Sequence, residues 1–128
     1  MTLPTDHINW LHRRFSGEEK MRVVNLTPHH IKVVHPHDPN VVKEYAPSGV
    51  VCRVKLSSEK VDTIDDMPVY ETQHEAVDNL PEPEDGVVYL VSRLVVECLQ
   101  GERMDVISPG DAIRDRSGRI VGCRGFSA

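Results

Sequence analysis

The hydrophobic pattern changes period along the chain. Up to residue 20 the apolar residues Ile8, Trp10, Leu11 and Phe15 fall on roughly one side of a helix, with Thr5 or Asp6 placed to cap it. This predicts a short helix in an N-terminal extension, residues 1–20, ending in the polar hinge SGEEK and docking through the chain's one tryptophan. From Met21 the apolar runs become short and β-branched. RVVNLT (22–27) and HIKVV (30–34) read as strands broken at Pro28, HPHDPN (35–40) as a turn, and VVKEYA (41–46) as the returning strand. PSG (47–49) is a tight turn before VVCRVKLS (50–57).

Residues 60–80 alternate well enough for strand, turn and strand, with the turn at DDMP. LPEPEDG (80–86) is a polar loop. VVYLVS (87–92) is apolar on both faces, the mark of a central strand. SRLVVECLQG (92–101) predicts a short helix with Ser92 as N-cap and Gly101 past its end. MDVIS (104–108) is a further strand, SPGD (108–111) a turn, and AIRD and RIVGCRGF form two hairpin arms around RSG. The expectation is one α+β domain over residues 21–128, mainly an antiparallel sheet with one or two short helices.

Charge sharpens this picture. The net charge is −5. Residues 59–86 hold ten acids against Lys60 alone, whereas residues 1–58 carry eight bases and five acids. Such a chain lacks the broad basic surface that long nucleic acid requires. No apolar run approaches the roughly 18 residues that span a membrane. The N-terminal stretch has no apolar signal-peptide core, so the expected location is cytoplasmic. Cys52, Cys98 and Cys123 have no metal-like spacing and read as small buried residues of a reducing compartment.

Three constellations are candidates for chemistry. The first is NLTPHHIKVVHPHDPN (25–40), with four of seven histidines. His29 and His35 are six residues apart, about 20 Å along one strand, too far to share a metal ion. His35 and His37 read as surface turn residues. Thr27 and His29, at the bend made by Pro28, are candidates for a pocket edge or for bonds to local backbone.

The second is nucleophilic. Cys98 lies among Leu94, Val95 and Leu99, which argues for packing, and no sequence feature links a cysteine to a base. GxSxG, P-loop, HExxH and GxGxxG motifs are absent. The third is the arginine set. Six arginines and no lysine follow residue 86, a bias that suits bidentate contacts to phosphate or carboxylate. Ser92 and Arg93 stand where a strand meets a helix N-terminus, and Arg103 and Arg114 flank the next strand. The competing reading is ion pairing with Asp105, Asp111 and Asp115.

N-L-T-P-H (25–29), P-S-G (47–49), L-P-E-P-E-D-G-V-V-Y-L-V-S (80–92), R-M-D-V (103–106), P-G (109–110) and R-D-R-S-G-R-I-V-G-C (114–123) together resemble a family of small proteins encoded by phages and prophages. That family is similar to the Thoeris anti-defence sponge proteins, non-enzymatic oligomers that sequester cyclic ADP-ribose signals and, in some cases, cyclic oligonucleotides. The resemblance implies a pocket at a subunit interface. Arg53, Arg103, Arg114 and Arg119 would contact phosphates, with Thr27, His29 and Ser92 as supporting polar contacts and Tyr89 or Phe126 as the only sources of base stacking. It also implies a homo-oligomer and a small anionic nucleotide as partner; no cofactor and no metal are expected. The rival expectations are a phage structural or interaction protein and a small hydrolase of nucleotide or sugar-phosphate substrates.

Overall fold

A computed structural model describes residues 21–128, so the predicted helix of residues 1–20 lies outside the described residues. The elements in chain order are β1 (Arg22–Asn25), β2 (Ile31–His35), β3 (Asp38–Tyr45), β4 (Arg53–Ile64), β5 (Met67–Asp78), β6 (Val87–Leu90), α1 (Arg93–Cys98), β7 (Val106–Arg114) and β8 (Ile120–Ser127). One helix of six residues against eight strands makes the described chain predominantly β, where an α+β fold was expected.

Six strands form one sheet in the order β1-β6-β7-β8-β2-β3, and β4 and β5 form a separate two-stranded ribbon. Antiparallel pairs are present as expected: β2 with β3, β4 with β5, and β7 with β8. The pairs β1–β6, β6–β7 and β2–β8 are parallel, which a simple meander does not contain. For β6 and β7 the physical reason lies in the helix. Residues 91–105 carry the chain through α1 from β6 to β7, long enough to return it to the same end of the sheet and so to make the two strands parallel.

Strand β6 is an interior strand, flanked by β1 and β7, and all four of its residues are buried. Val87, Tyr89 and Val91 join one core with Val95, Val96 and Leu99 of the α1 region, Leu26, Cys52 and Val106. Val88 and Leu90 join a second core with Ile107, edged by Val23, Ile31 and Tyr45. Period-two alternation thus feeds two cores from one strand, which is why its sequence is apolar throughout.

Ser92 caps α1 as predicted, its side chain accepting from the Val95 N–H at 3.3 Å. The β4–β5 turn falls at Asp65–Asp66, where both residues have positive φ (52° and 65°), the backbone of a two-residue hairpin loop. Each arm of this ribbon is twelve residues long.

Candidate functional site

The NLTPH bend folds around Asn25. Its side-chain amide donates to the carbonyls of His29 (2.8 Å) and Tyr45 (3.0 Å), and its Oδ1 accepts from the backbone N–H (2.9 Å) and hydroxyl (2.7 Å) of Thr27. The Thr27 hydroxyl accepts in turn from the His29 N–H at 3.3 Å. Asn25 and Thr27 are both buried. Every polar atom of the Asn25 side chain is therefore occupied, and Thr27 locks the bend instead of edging a pocket. What this knot does is fix the exit of the chain, leaving His29 exposed beyond it.

That exit opens on a groove of about 640 Å³ between β2 and the β7–β8 hairpin. Ile31, Pro109, Ala112, Ile120, Val121 and Cys123 supply its apolar walls, and His29, His30 and Lys32 its basic side, with Glu44 beside them as the cross-strand partner of Lys32. His30 Nε2 stands 3.3 Å from Glu44 Oε1. Gly110 and Gly122 also line it because the backbones crowd there. A Cβ on Gly110 would collide with the Arg124 carbonyl, and one on Gly122 would come within 3.1 Å of the Lys32 carbonyl. An apolar cavity of this size with a few polar groups on one side is the usual form of a small-ligand site.

The predicted arginines do not all meet at one place within a chain, and several are engaged locally. Arg103 makes a bidentate pair with Asp105 (2.9 and 2.8 Å) and also donates to the Pro81 carbonyl at 2.8 Å. The Asp105 bond raises its pKa against the opposing effect of burial. Arg114 donates to the Gly118 carbonyl at 2.7 Å, and the Arg119 N–H to Asp115 Oδ1 at 3.1 Å, so both serve the β7–β8 turn. From Val106, just after Arg103, to Arg114 the strand advances eight residues, about 26 Å at ~3.3 Å per residue. Arg103 and Arg114 therefore lie at opposite ends of β7, not at one end of the sheet. Arg53 is exposed at the start of β4, opposite Asp78. Ser92 is engaged as the cap of a six-residue helix. Of the seven predicted residues, His29 alone lines the groove.

The stacking candidates separate in the same way. Tyr89 is buried, and its hydroxyl donates to the Glu82 carbonyl at 3.2 Å. Phe126 is half-exposed, with its ring centroid 5.8 Å from that of Tyr45. The turn histidines behave as expected of surface residues: the His37 N–H donates to His35 Nδ1 at 3.0 Å. Among the described residues no group of three or more His, Cys, Asp or Glu is placed to hold a metal ion, and no helix is long and apolar enough to cross a membrane.

One arrangement overturns a sequence expectation. Cys98 is not packed in the core; its Sγ faces the ribbon and lies 3.3 Å from His74 Nδ1. The two line a second cleft of about 600 Å³, formed by the ribbon base, α1 and the loop that follows, with Arg103 on its wall. They are 24 residues apart on different elements, so no spacing rule links them. Cys52 and Cys123 are buried, and burial pushes both thiols up.

No protein family matches the chain, and neither does any curated protein or solved structure.

Proposed function

We propose that this is a binding protein that captures a small anionic nucleotide, of the cyclic ADP-ribose or cyclic oligonucleotide class, without turning it over. Its setting is that implied by the resemblance, the cytoplasm of a bacterial cell carrying a phage or prophage. The observation that carries the reading is the groove beside β2. Lys32 supplies a positive charge and His29 a flat ring with an N–H donor at one side of an apolar surface formed by Ile120 and Val121. A nucleotide needs that pairing of cation and apolar platform. The groove takes over the role first assigned to the arginines, with His29 common to both.

The ribbon β4–β5 supports the homo-oligomeric part of the proposal. It exposes Leu56, Val61, Ile64, Met67 and Tyr70, all at least half exposed. An isolated two-stranded hairpin is marginal in water, so arms of this length call for a covering surface, for which we propose a second copy of the chain. The same exposed residues are what favours the rival reading, a phage interaction protein without a ligand.

Incubation with cyclic ADP-ribose isomers and cyclic oligonucleotides, removal of free ligand, heat denaturation and chromatography test the proposal. Intact ligand in the supernatant is expected. Altered ligand would mean an enzyme, and its absence would leave the interaction protein.

A further inference from the structure

We propose that Cys98 and His74 form a nucleophilic thiol–imidazole pair that reacts with low-molecular-weight disulfides to give a mixed disulfide at Cys98. The pair has the geometry of a nucleophile and its base, Sγ to Nδ1 at 3.3 Å. It is accessible: Cys98 is half-buried and His74 exposed, and both open on the 600 Å³ cleft. Neither role of a structural cysteine applies, since the sulfur is not in the core and no other thiol is bonded to it.

The ribbon brings the base to the nucleophile. Lys55 pairs with Ala76 and Leu56 with His74, so Glu75 is the extra residue of a β-bulge, a device that re-aims neighbouring side chains. The charged groups that face the pair are Glu75 from β5 and Glu102 and Arg103 from the loop after α1; β4 contributes Val54. Attack requires loss of the Cys98 proton, in surroundings that hold these two carboxylates and the Arg103 guanidinium, itself paired with Asp105. A neighbouring base that takes the proton as attack proceeds answers that requirement.

The step balances without a further reagent. His74 Nδ1 accepts the Cys98 proton as Sγ attacks one sulfur of the incoming disulfide. The new S–S bond forms, the old one breaks, and the leaving thiolate takes the proton from the imidazolium and departs as a thiol. The adduct then occupies the space between α1 and the ribbon that His74 and Cys98 now bridge.

The test is incubation of the full chain with oxidised glutathione at neutral pH, followed by peptide mass mapping and a pH–rate profile for iodoacetamide alkylation of Cys98. One glutathione is expected on Cys98, with Cys52 and Cys123 untouched. His74→Gln is expected to slow the reaction at least about tenfold. It should also change the pH dependence of the alkylation rate, because the proton acceptor is gone. Equal rates and equal profiles in the two proteins would overturn the proposal, and so would modification of Cys52 or Cys123 ahead of Cys98.

Discussion

Arg103 and Asp105 meet through two parallel hydrogen bonds, Nε to Oδ1 at 2.9 Å and Nη2 to Oδ2 at 2.8 Å, with the Asp105 side chain only 3% exposed. The fork that would have gripped a phosphate is spent on a buried carboxylate at the start of β7. Removing it leaves that carboxylate dry and unpaired. Arg103→Ala is therefore expected to cost about 3–5 kcal/mol of stability, measured by urea denaturation. A loss below about 1 kcal/mol would show that water or another cation replaces the pair.

The Asn25 knot gives a second expectation. Asn25→Asp keeps the shape but replaces two donors by acceptors, facing the carbonyls of His29 and Tyr45. It should destabilise by roughly 2–5 kcal/mol, since two partly buried carbonyls lose their partner and a charge is buried at Asn25. Denaturation midpoints compare it with Asn25→Ala. Wild-type stability in both variants would mean that Pro28 and the strand ladder hold the bend alone.

The ribbon tip carries the oligomer proposal. Ile64 and Met67 face one another across the turn and are 63% and 69% exposed. Ile64→Glu with Met67→Glu should lower the mass found by light scattering to that of a single chain, with the circular dichroism of the sheet unchanged. An unchanged mass would move the subunit contact elsewhere.

Asp115 offers a pH test. Its carboxylate accepts from the Ser117 hydroxyl (2.6 Å) and from the N–H groups of Ser117 and Arg119 (2.9 and 3.1 Å), which hold its pKa below the ordinary 3.8. A depressed folded pKa means that the turn's support is present above the ordinary value and is lost as pH falls through the lower one. The Ser117 and Arg119 amide shifts should therefore titrate with a midpoint under 3.8. A midpoint at or above that value would contradict the bonding described.

Local chemistry was legible in the sequence. The run VVYLVS announced a strand buried on both faces, Ser92 the cap of α1, and DDMP the turn of the β4–β5 hairpin, because each depends on neighbours within a few residues. The pairing of β1 with β6 was not legible, for Arg22 meets Val87 across 65 positions and nothing in RVVN specifies that partner. The arginines misled for a related reason. Arg103 and Arg114 are close in sequence, but an extended strand between them is the longest path the chain can make. Cys98 and His74 show the reverse, distant in sequence and brought together by a bulge that alternation does not reveal. Of the candidate site, the bend at Pro28 and His29 were foreseeable; Lys32 and the apolar platform on β8 became visible only when β2 was seen to lie parallel to β8.

The most direct test of the account is a titration of the 15N-labelled protein with a cyclic ADP-ribose isomer or cyclic dinucleotide retained in the heat-release assay, mapped amide by amide. Shifts concentrated at His29, Lys32, Val121 and Gly122, and abolished by Lys32→Ala, are the predicted result. Shifts centred on Arg114 and Arg119, or on the Arg103 cleft, or a response that survives Lys32→Ala, would contradict it.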